Sequence, residues 1–346
     1  MRLKYTQVVG VGGIGAGILF HSRQNSTLGR SESRLVVQSS ARDYCKQHIV
    51  LHYPARLLAP HLQVVPIGCV GEDANGDRLI DEMRQAGMDT HCVQKHPALP
   101  TMLSICLQYP DKEGCNFTAV NSACDTLEPE QIPALLEQLQ AGPGTIAAAL
   151  PEVRAATRIA LLEQAHRRGA YGILSVPEAE AADFWQARAY RFCSLLSVNE
   201  AEAAAICGAP QQNHGALALA LWKKLSTQRP DIAVMVTCGP EGAYSVANGH
   251  LERIPPLAAE VVNTAGAGDA FLGGVIAGLA LDMPLQKGRD DRRFGESPLA
   301  SAAELGTLCA GMALESRDSI GWQVTADAIT QRLTENRWEM AKWSTR

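Results

Sequence analysis

Apolar and polar positions alternate in two different ways along the chain. Up to about residue 127 the apolar stretches are short and unevenly spaced. YTQVVGVGG (5–13) is an apolar run entering glycines, the pattern of a buried strand and turn. Residues 21–34 are polar and read as exposed connections. HIVLHYPARLLAP (48–60) places Ile49, Tyr53, Leu57 and Leu58 on one side of a helix that Pro60 ends. QVVPIGCVG (63–71) reads as a strand, EDANGD (72–77) as a turn, and DRLIDEMRQAG (77–87) as an amphipathic helix closed by Gly87. THCVQK, TMLSICLQYP and NFTAV follow as short strands, with DKEG as the turn between the last two.

After Glu128 the pattern becomes regular. PEQIPALLEQLQ is helical and GTIAAAL is a strand; 152–168 is a long helix and AYGILSV a strand. FCSLLSV, the helix NEAEAAAICG, the strand DIAVMVTCG, a hairpin around GAYSVANGHLERI and a helix after GAGD complete the series. GRDDRRFGES (288–297) reads as a polar loop. Alternating strands and helices imply a mainly parallel sheet covered on both faces. The short strands of residues 90–120 interrupt that alternation and imply a separate small β layer over an α/β body.

The totals narrow the function classes. The 346 residues are 46% hydrophobic and 19% charged, a globular composition with ample core. The net charge of −5 and the absence of a basic block disfavour a nucleic-acid partner. None of the ten cysteines forms a C-x-x-C pair, and several sit in apolar runs, so buried free thiols in a reducing compartment are expected. VVGVGGIGAGILF (8–20) lies behind Arg2 and Lys4 like a signal peptide, but no small-x-small cleavage site follows. It is also too short to span a bilayer. A core strand and turn in a soluble, cytoplasmic protein without membrane contact is the expectation.

Three glycine-rich motifs carry candidate chemistry. Gly10 to Gly15 spells G-x-G-x-x-G after a strand, the beginning of a dinucleotide fingerprint. That fingerprint needs a helix next and an acid about twenty residues on; ILFHSRQNSTLG is a poor helix, and a core strand ending in a tight turn is the plain alternative. Gly266-Ala-Gly-Asp269 stands where a helix starts, so unpaired N–H groups could cradle a phosphate beside a carboxylate able to accept a proton. The alternative is a stabilising acid at a helix start. Asn199-Glu-Ala-Glu202 opens another helix as a capping-box pattern, or gives Glu202 a role in holding hydrated magnesium near phosphates.

Taken together, NTAGAGDAFLGG (263–274), NEAE (199–202), VTCGPEGAY (236–244) and VVPIGCVGEDANGDRLIDEMRQAGMDT (64–90) resemble the ribokinase/PfkB carbohydrate kinase family in content, order and spacing. The resemblance covers nearly the whole chain. It implies an α/β fold: a ribokinase-like three-layer α/β/α sandwich with a mainly parallel central sheet and a small β lid. The expected organisation is one domain over 1–346, with the lid formed from parts of about 15–47 and 90–125. It also implies transfer of the γ-phosphate of MgATP to an alcohol, with Asp269 as base and the Ala265, Gly266, Ala267 and Gly268 backbone as anion hole. Thr237, Gly239, Gly242 and Thr264 would line the nucleotide site. Asn199 and Glu202 would organise phosphates and, indirectly, Mg2+.

The acceptor half departs from the family. The aspartate expected after the first strand is missing from Gly13-Ile-Gly-Ala-Gly17, so Gly15 marks its region. The glycines of G-G-x-x-x-N-x-A are absent near Asp43 to His48, and ILSVP carries Ser175 where an aspartate often stands. Asp43, Lys46, Gln47, His48 and His52 are candidates to replace the missing polar contacts; His48 and His52 share a helix face, as structural pairs also do. Asn263 replaces the aspartate that opens D-T-x-G-A-G-D, a region where family members hold a monovalent cation, so weak dependence on K+ is expected. Exposed lid edges allow a homodimer. A small-molecule kinase leads; a non-catalytic sensor on the same fold and a nicotinamide enzyme using Gly10–Gly15 are the alternatives. A sugar, a nucleoside or another polyol remains open as acceptor.

Overall fold

The computed structural model of the protein describes residues 2–111, 114–208, 212–287, 299–338 and Trp343. The 288–297 loop lies outside the described residues.

Thirteen strands form among the described residues: β1 (Gln7–Val11), β2 (Gly15–His21), β3 (Val37–Tyr44), β4 (Gln63–Gly71), β5 (Val93–His96), β6 (Met102–Gln108), β7 (Gly114–Thr118), β8 (Thr145–Ala149), β9 (Tyr171–Leu174), β10 (Leu195–Asn199), β11 (Ala233–Thr237), β12 (Ala243–Ala247) and β13 (His250–Ile254). Nine make a large sheet in the order β13-β12-β11-β10-β9-β8-β1-β4-β5, and β3-β2-β6-β7 make a small one. The large sheet is parallel from β11 to β5, because the connections between those strands are crossovers. Only the β11–β12–β13 hairpins run antiparallel. Its central strands are apolar on both faces, as a doubly covered sheet requires; Val8, Val9, Val64, Val65, Ile146 and Ala147 are all buried.

One face is covered by α1 (Lys46–Leu58), α2 (Ala74–Gln85), α8 (Ala267–Ala280), α9 (Ala302–Ala313) and α10 (Ala326–Glu335). The other is covered by α3 (Ile132–Gln138), α4 (Ala155–Arg167), α5 (Ala181–Gln186), α6 (Glu200–Cys207) and α7 (His214–Leu225). Helices α8 and α9 approach at backbone distance: a Cβ on Gly274 would lie 2.8 Å from the Cα of Gly306. This is a ribokinase-like α/β fold with the small sheet as lid.

Several elements differ from the sequence pattern, each for a physical reason. Helix α1 begins earlier, at Lys46, contains Pro54, and buries nearly every residue rather than one stripe, because it is wedged between the sheet and α8. Asp73 accepts a hydrogen bond from the Gly76 N–H at 2.8 Å and so starts α2 inside the expected EDANGD turn. β5 does not join the small layer expected over 90–120; it pairs in parallel with β4, Gly68 opposite Val93, and extends the large sheet. The lid consists of β2, β3, β6 and β7 alone. Gly10 to Gly15 leads from β1 into β2, not into a helix, so no helix N-terminus stands there for a pyrophosphate and the nicotinamide reading loses its basis.

Candidate active site

Ligand pockets in open α/β sheets lie beyond the carboxyl ends of the strands, and the chemistry-bearing residues gather there. Gly266 stands in a turn in the left-handed region, at φ 77°, and α8 starts at the next residue. No other residue type fits, since a Cβ there would collide with the Ser319 carbonyl. The turn sets the start of α8, whose first N–H groups have no intrahelical partner, beside a pocket of about 290 Å³ that Gly268 and Asp269 line. Lys46, Ser175, Asn199, Glu202, Thr237 and Asp269 are among the residues that line it.

Asp269 sits in the first turn of α8 with its side chain 19% exposed. Lys46, the first residue of α1, places its Nζ 3.4 Å from Asp269 Oδ1. Burial raises the Asp269 carboxyl above its usual range, against the pull of Lys46. Burial also works against the Lys46 ammonium, but Asp269, Glu202 and Glu152 outweigh it and its pKa rises. Lys46 therefore stays cationic beside a carboxylate of strengthened basicity.

Asn199 and Glu202 close the capping box at the start of α6: Glu202 Oε2 accepts from the Asn199 N–H, and Asn199 Oδ1 from the Glu202 N–H, each at 2.8 Å. The same carboxylate faces the pocket, and burial raises its pKa against the opposing charge of Lys46. Capping and pocket-lining coexist. Gly239 and Gly242 stand in the β11–β12 turn with φ of 51° and 88°, beside Thr237. Thr264 lines a second cavity of about 170 Å³ between the lid and the 261–264 segment.

The acceptor candidates separate. Asp43 lies on β3 opposite Gly17, and its carboxylate covers that glycine and accepts from the Cys106 Sγ at 3.3 Å. Burial, then Asp43, pushes the Cys106 thiol up to about 12. Ser104 and Thr118 share a hydrogen bond at 2.8 Å on β6 and β7. Gly15 is packed: a Cβ would be 2.7 Å from both Cys45 Sγ and the Met102 carbonyl. Gln47 is buried and donates to the Ile67 carbonyl at 3.3 Å. His48 and His52 are fully buried, against Tyr44 and Trp322 respectively. Burial, aided by Arg78, pulls His48 down to about 3, so it is neutral. These two rings and Gln47 belong to the core and not to the pocket. Lys46 instead joins the pocket cluster, its Nζ lying against Asp269 at the start of α8.

One residue carries no motif. Glu152 follows β8 and Pro151 with φ 72°, an uncommon backbone for a side chain. Its Oε2 accepts the Lys46 N–H at 3.1 Å and so caps α1 from another segment. Burial pushes its carboxyl up to about 7. A signal was present: an acid at the end of an all-apolar parallel strand, GTIAAALPE, stands where ligands bind.

Comparison with known proteins agrees with this architecture. Over residues 50–324 the chain matches the model of the pfkB family carbohydrate kinases. It is 28% identical over 279 residues to the bifunctional protein HldE of Trichlorobacter lovleyi, a match covering 76% of this chain and 54% of that one. The chain thus spans about half the length of that relative. The solved ribokinase of Giardia lamblia superposes with a TM-score of 0.78 at 17% identity, covering 95% of this chain and 99% of that one. A ribokinase II of E. coli, solved with ATP and Mg2+, gives a TM-score of 0.70 at 16% identity over 95% and 99% of the two chains. The protein belongs to the pfkB family of carbohydrate kinases.

Proposed function

We propose that the protein transfers the γ-phosphate of ATP to a hydroxyl of a sugar or sugar-like acceptor. The observation that carries this reading is the partly buried Lys46–Asp269 ion pair at the N-terminus of α8, 3.4 Å apart, inside the pocket that Glu202 and Thr237 also line. The acceptor oxygen forms a bond to the γ-phosphorus while the bond to the ADP oxygen breaks. The acceptor's proton passes to the Asp269 carboxylate, whose raised pKa suits a base. Charge on the transferring phosphoryl group is met by the first N–H groups of α8 and by the Lys46 ammonium.

Magnesium fits the residues present. Among the described residues no group of three or more His, Cys, Asp or Glu converges, so there is no all-protein cage. Mg2+ carried by phosphates keeps its waters and needs few carboxylates, and Glu202 supplies one at the pocket wall. The ion would neutralise phosphate charge there.

The lid face around Asp43, Ser104, Cys106 and Thr118 is polar and small, which suits hydroxyl groups. The test is acceptor-dependent release of ADP across sugars, nucleosides and other polyols, with Asp269→Asn as control. Turnover with one acceptor class, abolished in the variant, supports the kinase. ATP binding without turnover for any acceptor supports a sensor on the same fold, a reading that the packed Gly15 position favours.

A further inference from the structure

The loop before α8 is held by the Val262 and Asn263 N–H groups on the Leu314 carbonyl and by the side chain of Asn263. Asn263 Nδ2 donates to the Arg317 carbonyl at 2.8 Å, and Asn263 Oδ1 accepts from the Ala265 N–H at 3.0 Å. One partner is an acceptor and the other a donor, so the amide has a single satisfying orientation. The turn that carries Arg317 is fastened to the lid. Asp318 Oδ1 accepts from the Arg42 N–H at 2.8 Å, the Ser319 N–H donates to the Arg42 carbonyl at 3.0 Å, and Ser319 Oγ accepts from the Tyr44 N–H at 3.1 Å. The Ser319 carbonyl is also the atom against which Gly266 packs. Residues 317–319 thus touch β3 on one side and the anion-hole loop on the other.

A monovalent cation in this loop would need to be faced by oxygens. Here the Arg317 carbonyl is taken by an amide hydrogen, and the side-chain oxygen of Asn263 by a backbone one. Because Asn263 brings its own hydrogen to the Arg317 carbonyl, this contact is satisfied without the cation that the family resemblance implies.

We propose that Asn263 is a positioning residue whose amide does what a carboxylate and a bound monovalent cation would do together. It ties the Ala265 N–H and the start of α8 to the 317–319 turn, and through that turn to β3. The inference rests on the phosphoryl-transfer reading for its kinetic consequence, but not for its structural one. A carboxylate at 263 would set two acceptor oxygens against each other where one hydrogen bond now stands. A cation between them would relieve that repulsion.

The experiment uses the full chain as wild type, Asn263→Asp and Asn263→Ala, in KCl and in tetramethylammonium chloride at equal ionic strength, because screening must be constant. The first readout is the melting temperature without nucleotide. K+ raises it in Asn263→Asp and leaves wild type and Asn263→Ala unchanged. The second readout is turnover. Without K+, kcat of Asn263→Asp falls roughly two- to tenfold with little change in KM for ATP, the effect of one misplaced hydrogen bond. K+ restores kcat in Asn263→Asp and not in Asn263→Ala. A wild-type protein stabilised or activated by K+, or an Asn263→Asp variant indifferent to it in both readouts, overturns the proposal. If no acceptor supports turnover, the kinase reading fails while the melting arm still decides this one.

Discussion

The rim of the large sheet and the underside of the lid face each other, and they are built on opposite plans. On the rim, Lys46, Glu202 and Asp269 project from the first turns of three helices, each seated on a sheet buried on both faces. Charges there are few, partnered and fixed by caps and ion pairs. The lid is four strands with one carboxylate, Asp43, among glycines, small hydroxyls and thiols. Its other face leaves Ile105 and Phe117 exposed. Phosphoryl transfer makes the same demand whatever the acceptor, so its apparatus belongs on rigid elements. The acceptor varies, so its contacts can sit on a thin sheet whose side chains change without disturbing the core.

Asp269→Asn breaks the rim most severely. Its shape is kept and its proton acceptor is lost, so kcat falls on the order of 10²–10⁴-fold. Calorimetric ATP binding stays close to wild type, and an unchanged kcat would move the base elsewhere. Asp43→Asn probes the lid. The acceptor KM rises roughly ten- to hundredfold, the range for a charge-assisted hydrogen bond, while the ATP KM holds; a shift in the ATP KM instead would place Asp43 on the rim side of the comparison. Gly268→Val is gentler. The nearest neighbour to a Cβ there is Thr237 Oγ1 at 3.8 Å, so the melting temperature hardly moves. The side chain fills pocket space in front of the helix start, and the ATP KM rises about tenfold, as for one or two lost hydrogen bonds.

The smallest effect is on stability against pH. Burial gives Glu152 a folded pKa of about 7, above the ordinary value of 4.5. Between those two values the folded protein binds more protons than the unfolded one, so this group lowers stability as pH rises through that window. Its penalty is absent below the window and complete above it. Glu152→Gln keeps an acceptor for the Lys46 N–H without the charge. Thermal melts from pH 5 to 8 should show the variant gaining on wild type up to about pH 7 and then running parallel. Parallel curves throughout would mean that Glu152 is not held in its raised state.

What the sequence reveals follows the same division. Asp269, Glu202 and Thr237 are legible because each lies on a local strand-turn-helix or strand-turn unit whose spacing sets its geometry. His48 and His52 show the limit: a four-residue interval tells which side chains share a helix face, not whether that face meets a pocket or a core. α1 is buried nearly all round, so the rule carried no information there. The place of Lys46 beside Asp269 could not be read from its neighbours, since its partner lies 223 positions away and meets it only through the packing of α1 on α8. β5 reads as a lid strand because alternation says nothing about which sheet edge a strand joins.

The contact between Gly274 and Gly306 has a consequence for which sites tolerate change. Asp269 stands five residues before Gly274 on the same helix, about 7.5 Å along its axis. At this crossing backbone rests on backbone, with the Cys309 thiol and the Val275 and Phe271 side chains packed tightly around it, so an added methyl group is absorbed largely by moving the helix as a rod. That displacement is delivered undiminished to the carboxylate and the N–H groups at its tip. Two positions with no functional group of their own therefore set the aim of the pocket residues, and an alanine at either should lower turnover before it unfolds the chain.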